Sequence, residues 1–340
     1  MTIHTLPRGR FRISLIVPMH DEALALGPFF ARVVPIVEQV SDDYEIVCVN
    51  DGSTDDTLAL LRQAHAANPR IKVVDLSRNF GKEAALTAGL DHASGDALVP
   101  LDADLQDPPE LIPQLVAKWR EGHDVVLAVR RDRRSDSVAK RTSAGLFYRL
   151  IGHLSDVPIP ANAGDFRLMD RRVVEALRRL PERSRFMKGL FAWLGFDQAI
   201  VEYVRPARVA GASKWRFWRL WNFALDGIFS FTTLPLRVWT YVGLTMAAAS
   251  VAYMLFIILR TLLEGVDVPG YASIVVLLLF FSGMNMIGLG VIGEYLGRVF
   301  LEVKNRPIYL VSDTLGFEPA PRRRSIRAKA LPPEMVDAGG

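Results

Sequence analysis

Five short runs of apolar, often β-branched residues punctuate the first 130 positions: RISLIVPM (12–19), YEIVCVND (44–51), IKVVDLS (71–77), ALVPLDAD (97–104) and DVVLAVR (124–130). Runs this continuous suit strands buried on both faces of a parallel sheet. Between them, residues 23–40, 55–67, 81–93 and 108–121 carry apolar positions at helical spacing. GSTDD ahead of the second helical segment and DPPEL ahead of the fourth supply N-cap and Pro-at-start signals. The alternation predicts a doubly wound, mostly parallel α/β sheet. In such sheets ligands bind at the carboxyl ends of the strands, where Asp51 and residues 102–104 fall.

Past residue 130 the pattern changes. RRDRRSDSVAKR (130–141) is a dense basic run that predicts a surface loop, and Phe186, Leu190, Trp193 and Leu194 recur at helical spacing. SKWRFWRLWNFALDGIFSF (213–231) sets Trp215, Trp218 and Trp221 among Lys214, Arg216 and Arg219, the pattern of an amphipathic helix lying in a membrane interface. Two uncharged stretches follow, 238–259 and 268–293. Each is long enough to cross a hydrocarbon core of about 30 Å. The link between them carries Glu264 and Asp267 against one Arg260, while the outer flanks are basic, so the positive-inside rule puts both flanks in the cytoplasm.

The expected organisation is a tail (1–10), a cytoplasmic α/β domain (11–212), an interfacial helix (213–233), transmembrane helices at 234–260 and 271–297 joined by a short external loop (261–270), and a cytoplasmic C-terminal segment (298–340) that turns disordered at about 312. The Gly-rich stretch 282–297 allows close helix packing, within the chain or between copies.

Composition adds little until it is localised. The chain has 340 residues, mean hydropathy +0.18 and net charge +4, from 41 Lys and Arg against 37 Asp and Glu. The hydropathy traces to the two uncharged stretches, and no nucleic-acid partner is expected from so small a positive excess. The single cysteine, Cys48, excludes an intramolecular disulfide and reads as a small buried hydrophobe. The first apolar run is too short for a signal-peptide core. Neither GxGxxG after a strand nor GxxxxGK[ST] occurs, so the sheet carries no dinucleotide or phosphate-loop fingerprint.

The chemistry concentrates in three strand-end clusters: VPMHDE (17–22), VNDGSTDDT (49–57) and DADLQD (102–107). If the chain stays extended there, Asp102 and Asp104 share a face and aim at one point. Hard oxygen ligands of this kind, with the Gln106 amide oxygen nearby, suit Mg²⁺ or Mn²⁺ carrying substrate phosphates. Asp51 is placed to accept hydrogen bonds from a base or ribose, His20 to stack on a base and Glu22 to reach a ribose hydroxyl. Asp107, beside Pro108 and Pro109, reads as a helix cap.

IVPMHDE, CVNDGSTDDT, SRNFGKEAALTAGLDHASGDALVPLDADLQDPPE and GDFRLMDR together resemble the family 2 glycosyltransferases, and within them the polyprenyl-phosphate glycosyltransferases such as dolichol-phosphate mannose synthase and the bactoprenol glucosyltransferases. The resemblance covers about residues 11–310. It implies a GT-A-like sheet and an inverting, Mg²⁺- or Mn²⁺-dependent transfer of a hexose from a nucleotide sugar to a polyprenyl phosphate at the cytoplasmic face of a bacterial inner membrane. It implies that Pro18, His20, Glu22, Val49 and Asp51 line the nucleoside pocket and that Asp102, Ala103, Asp104 and Gln106 hold the metal and diphosphate. Arg130 would contact donor or acceptor phosphate, and Asp165 would sit by the sugar as base or positioning group. Arg208 and Lys214 in RVAGASKW would grip phosphates near the membrane. HDE stands where the family more often has Tyr and Asn-Glu, which leaves the nucleotide open. UDP-glucose is the first expectation, with GDP-mannose or a modified UDP-sugar as alternatives. The further expected partners are a second copy of the chain or a flippase. A processive polysaccharide synthase fits less well, because no Gln-x-x-Arg-Trp is present and two spans are few for an export channel. A silent scaffold that binds nucleotide sugars is opposed by the intact Asp102, Asp104 and Asp165.

Overall fold

A computed structural model describes residues 11–130, 163–180, 182, 183, 185, 187–203, 234–264 and 270–318. The five apolar runs form β1 (Ile13–Met19), β2 (Tyr44–Asn50), β3 (Ile71–Leu76), β4 (Ala97–Pro100) and β5 (Val125–Arg130). The helical segments between them form α1 (Ala23–Val40), α2 (Thr57–Ala67), α3 (Lys82–His92) and α4 (Ile112–Arg120). Three further strands complete an eight-stranded sheet among the described residues: β6 (Ala163–Asp170), β7 (Gln198–Tyr203) and β8 (Val311–Leu315), in the order β7-β5-β6-β4-β1-β2-β3-β8.

The fold is the doubly wound, mostly parallel sheet expected, with two antiparallel members. β1 pairs in parallel with β2 and β4, β2 with β3, and β5 with β7, whereas β6 runs against β4 and β5. All the parallel strands therefore end at one edge of the sheet, and the beginning of β6 lies at that edge. Alternate residues feed two cores. Ile13, Leu15 and Val17 pack with Phe29 and Val33 of α1, Leu61 of α2 and Leu115 of α4. Ile16 and Val47 pack on the other face with Leu86 and Leu90 of α3, Val174 and Leu177 of α5 (Arg171–Arg178), and Met187 and Leu190 of α6 (Met187–Trp193). Cys48 lies in the first of these cores, and burial pushes its thiol well above the usual range.

Two long helices follow, α7 (Leu234–Glu264) and α8 (Tyr271–Val303). Both are long and apolar enough to cross a membrane, over Val238–Arg260 and Val276–Val303, and almost nothing in those windows is buried by protein. Leu244, Leu255, Leu262, Leu278 and Met286 are exposed. Helix α1 also passes by length and composition, but its Leu26, Phe29, Val33 and Val37 are buried against the sheet. Helices α7 and α8 approach closely where Gly288 faces the Trp239 indole, a spot that leaves no room for a Cβ.

The chain then returns to the sheet. β8 adds antiparallel to β3, Ser77 N–H donates to the Leu310 carbonyl at 2.9 Å, and the Tyr309 hydroxyl donates to Asp91 at 2.9 Å. This corrects the expected onset of disorder at about 312. VSDTL is short and polar because it is an exposed edge strand, and such strands lack the apolar alternation that flags buried ones. The end of α8 is tied to the same body, since the Arg183 backbone N–H donates to the Glu302 carboxylate at 3.0 Å.

Candidate active site

The loops that leave β1, β2, β3 and β4 meet at the carboxyl edge. Asp55 clamps two helix starts at once, accepting from Thr57 N at 3.0 Å and from Ala23 N at 3.1 Å. GSTDD thus caps through Asp55 and fastens the β1 loop to the β2 loop. Asp21, with φ of 55°, accepts from Thr54 N at 2.7 Å and donates its own N–H to Ser53 Oγ at 3.0 Å. Hydrogen bonds led by Thr54 N hold the Asp21 carboxyl below the usual carboxylate range, and the Thr57 hydroxyl does the same for Asp55.

Asp51 departs from its expected role. It is buried, and its two oxygens accept from Phe80 N at 2.7 Å and Gly81 N at 2.9 Å. Its carboxylate holds the loop after β3, so contact with a nucleoside through that group is not its first task. Gly52 lies at φ of 62°, and a Cβ there would strike the Arg78 backbone, which explains the glycine. His20 is also fixed. The Asn79 amide donates to Nε2 at 3.0 Å, which leaves Nδ1–H to donate to the Asp51 carbonyl at 2.9 Å. Val49 and Ala103 are buried with their side chains in the two cores, so neither side chain lines a surface pocket. Strand alternation turns Val49 toward α3. Pro18 and Glu22 are half-buried.

The DxD segment is not extended. β4 ends at Pro100, the next residues turn, and Leu105 has φ of 56°. The shared-face geometry expected for Asp102 and Asp104 therefore does not form, and the two carboxylates have different partners. Asp104 is exposed and accepts from Gln106 N at 3.1 Å and Gln106 Nε2 at 2.7 Å. Asp102 is held by Lys82, whose Nζ lies 2.7 Å from Oδ1 and 2.8 Å from Oδ2. The same Nζ lies 2.9 Å from Asp165 Oδ2. Burial raises the Asp102 pKa, and the nearby lysine only partly offsets this. Burial lowers the Lys82 pKa, but the charges of Asp102 and Asp165 outweigh it and leave the ammonium above its ordinary value. Glu22 is raised as well, by burial first and then by repulsion from Asp104 and Asp102.

The antiparallel course of β6 brings Asp165 level with the end of β4. Arg130 ends β5 at the same edge, half-buried. Arg208, Lys214 and the helix expected at 213–233 lie outside the described residues. Lys82 is the principal residue missed from the sequence, although the FGKEAA motif contained it. A cation opening a helix was the available signal, since helix starts favour carboxylates. Asp107 was read as a cap, but it instead accepts from the Tyr203 hydroxyl at 2.6 Å, tying the end of β7 to the β4 loop.

The described residues contain no group of three or more His, Cys, Asp and Glu arranged to hold a metal on their own. The exposed Asp104 carboxylate and the Gln106 amide are hard oxygen donors. Such a set suits a Mg²⁺ or Mn²⁺ that keeps waters and draws its remaining ligands from substrate phosphates.

Residues 14–178 match the protein family described as Glycosyl transferase family 2. The chain is 56% identical over 309 residues to an uncharacterized glycosyltransferase, sll0501, of a Synechocystis species, covering 91% of this chain and 97% of that protein. It is 50% identical over 300 residues to the SfII prophage-derived bactoprenol glucosyl transferase of Shigella flexneri, covering 88% and 97%. Among solved structures it is similar to the mannosyltransferase PcManGT of Pyrobaculum calidifontis in complex with GDP-Man and Mn²⁺, at 20% identity and a TM-score of 0.45, over 88% of each chain.

Proposed function

The chain belongs to glycosyl transferase family 2 and is a glycosyltransferase, and on that premise we propose that it transfers a hexose, from UDP-glucose, to a polyprenyl phosphate at the cytoplasmic face of a membrane. The observation that carries the reading is one body that joins a carboxylate-rich strand-end site to two apolar helices. The pairing of β8 with β3 supports a hairpin whose two flanks share one side of the membrane. The lipid acceptor and the glucose donor are supported by the relatives named bactoprenol glucosyl transferase. The proposed division is a catalytic domain at 11–212, an interfacial helix at 213–233 and a membrane hairpin at 234–297.

In this reading His20 and Glu22 face the nucleoside, with Asp51 shaping that wall through the β3 loop. Pro18, Val49 and Ala103 contribute backbone and packing. Asp104 and Gln106, joined by Asp102, would hold a Mg²⁺ or Mn²⁺, which when bound would neutralise charge developing on the leaving diphosphate. Asp165 orients the sugar. Arg130, Arg208 and Lys214 supply positive charge to the donor and acceptor phosphates. The acceptor is anionic at neutral pH, so it attacks with little need of a base. A single displacement inverts the anomeric carbon.

The test is to incubate the purified full-length protein in detergent with undecaprenyl phosphate, Mg²⁺ and a panel of nucleotide sugars. A glucosyl lipid formed from UDP-glucose, and lost in Asp104→Ala, is the expected result. No lipid-linked sugar from any donor, or full activity in Asp104→Ala, would overturn the reading.

A further inference from the structure

Lys82 breaks a local rule in order to reach the site. It is the first residue of α3, where unpaired backbone N–H groups disfavour a cation. Its side chain nevertheless spans two strand ends, with Nζ 2.7 and 2.8 Å from the oxygens of Asp102 and 2.9 Å from Asp165 Oδ2. An ammonium has three N–H donors; the two Asp102 oxygens lie together on one side of it and share a donor, and Asp165 takes another. Among the described residues Arg167 is another cation near Asp165, with partners of its own. Arg167 is buried, donates to the Gly164 carbonyl at 2.7 Å and stacks on Phe191 at 4.3 Å. Without Lys82, Asp102 and Asp165 would face each other without the ammonium between them.

We propose that Lys82 is the resident cation of this site: it keeps the Asp102–Asp165 pair closed in the donor-free enzyme, so that Asp102 reaches a divalent ion and Asp165 reaches the sugar only together with the nucleotide sugar, whose diphosphate gives the ammonium a replacement partner. This rests on reading the edge as a nucleotide-sugar site. Metal and donor then bind with positive coupling, and free divalent ions do not load the empty enzyme. Lys82 is a positioning residue in this scheme, and its role is visible in binding without turnover.

The test is a Mn²⁺ titration of the full-length protein in detergent, reading free Mn²⁺ by its EPR signal. In the absence of nucleotide, Lys82→Met is expected to bind Mn²⁺ at least about tenfold more tightly than the wild type, because two carboxylates are left without their counter-ion. Lys82→Arg is expected to match the wild type, and adding Asp102→Asn to Lys82→Met is expected to abolish the gain. Lys82→Gln serves the same comparison if Lys82→Met fails to give a cooperative thermal transition. Adding the nucleotide sugar that supports turnover is expected to tighten Mn²⁺ binding about tenfold in the wild type and less in Lys82→Met. Equal donor-free affinity in the wild type and both neutral variants overturns the proposal, as does a wild type whose Mn²⁺ affinity ignores the donor. The donor-free comparison needs no turnover, so its failure is separable from failure to find any lipid-linked product.

Discussion

Replacing Asp51 by alanine tests whether the site is organised by the contacts described. Its carboxylate accepts from Phe80 N at 2.7 Å and Gly81 N at 2.9 Å, and the residue is 3% exposed. Hydrogen bonds to a charged group contribute about 1.5–3 kcal/mol each, which sets a ceiling of roughly 3–6 kcal/mol for the two. Phe80 and Gly81 are half-exposed, so water recovers part of this in the variant and the expected loss is about 2–3 kcal/mol. For a domain of this size each kcal/mol lowers the midpoint by about 2–4 °C, so Tm should fall by about 5–10 °C. Function should fall as well, because Lys82 is the next residue after Gly81 and loses its fixed origin when the loop is released. At a temperature where both proteins are folded, kcat/KM for the donor is expected to drop at least about tenfold, a transition-state cost near 1.4 kcal/mol. The assays are thermal unfolding of the full-length protein in detergent and initial rates of lipid-linked sugar formation against donor concentration. A Tm within about 2 °C of the wild type with unchanged donor dependence would show that other contacts hold the loop, and the argument would fail.

Gly52→Ala places a Cβ against the Arg78 backbone at φ of 62° and should cost about 2–3 kcal/mol, seen as a lower Tm and weaker donor binding. Glu45 is buried at the opposite end of the sheet, where burial would raise its pKa but Lys72 at 2.7 Å, Ser14 Oγ at 2.6 Å and Ser94 N at 2.6 Å lower it overall. Its contribution is therefore complete above the unfolded carboxyl value of about 4.3 and is lost as pH falls through the lower folded value. Glu45→Gln should lower Tm at pH 7 and flatten the acid limb of the Tm–pH curve, and an unchanged acid limb would contradict the assignment. Gly288→Val should push α7 and α8 apart against Trp239, lowering both Tm and activity, whereas Gly290→Val meets nothing and should be tolerated. Equal effects at the two positions would remove Gly288 as the packing contact.

Much of the fold was legible because buried parallel strands are locally apolar. The first five runs became strands within a few residues of their expected limits, and the four helical segments became α1 to α4. The later strands were harder to read. AGDFRLMD carries charge within a strand, and VSDTL lies exposed at an edge, so neither has a periodic signature. The candidate site was legible only as loops at one edge, which His20, Glu22, Asp102, Asp104, Asp165 and Arg130 share. The partners within that set were not legible. Asp51 turned toward backbone amides, Asp107 toward Tyr203, and Asp102 toward Lys82, and each pairing joins residues far apart in the chain.

The sequence by itself therefore determined what local physics can encode. It specified where buried strands and helices begin, which loops carry acid, and where two stretches are long and apolar enough to cross a membrane. Only the tertiary structure decided which charge answers which. A lysine at the start of α3, one carboxylate after β4 and another on an antiparallel β6 meet at a single ammonium because the sheet order places those three elements side by side. The same order brings residues 311–315 back to β3 after the long helices, joining segments from before and after them in one sheet. Strand order is set by long-range pairing and core packing, and no window of neighbouring residues contains it.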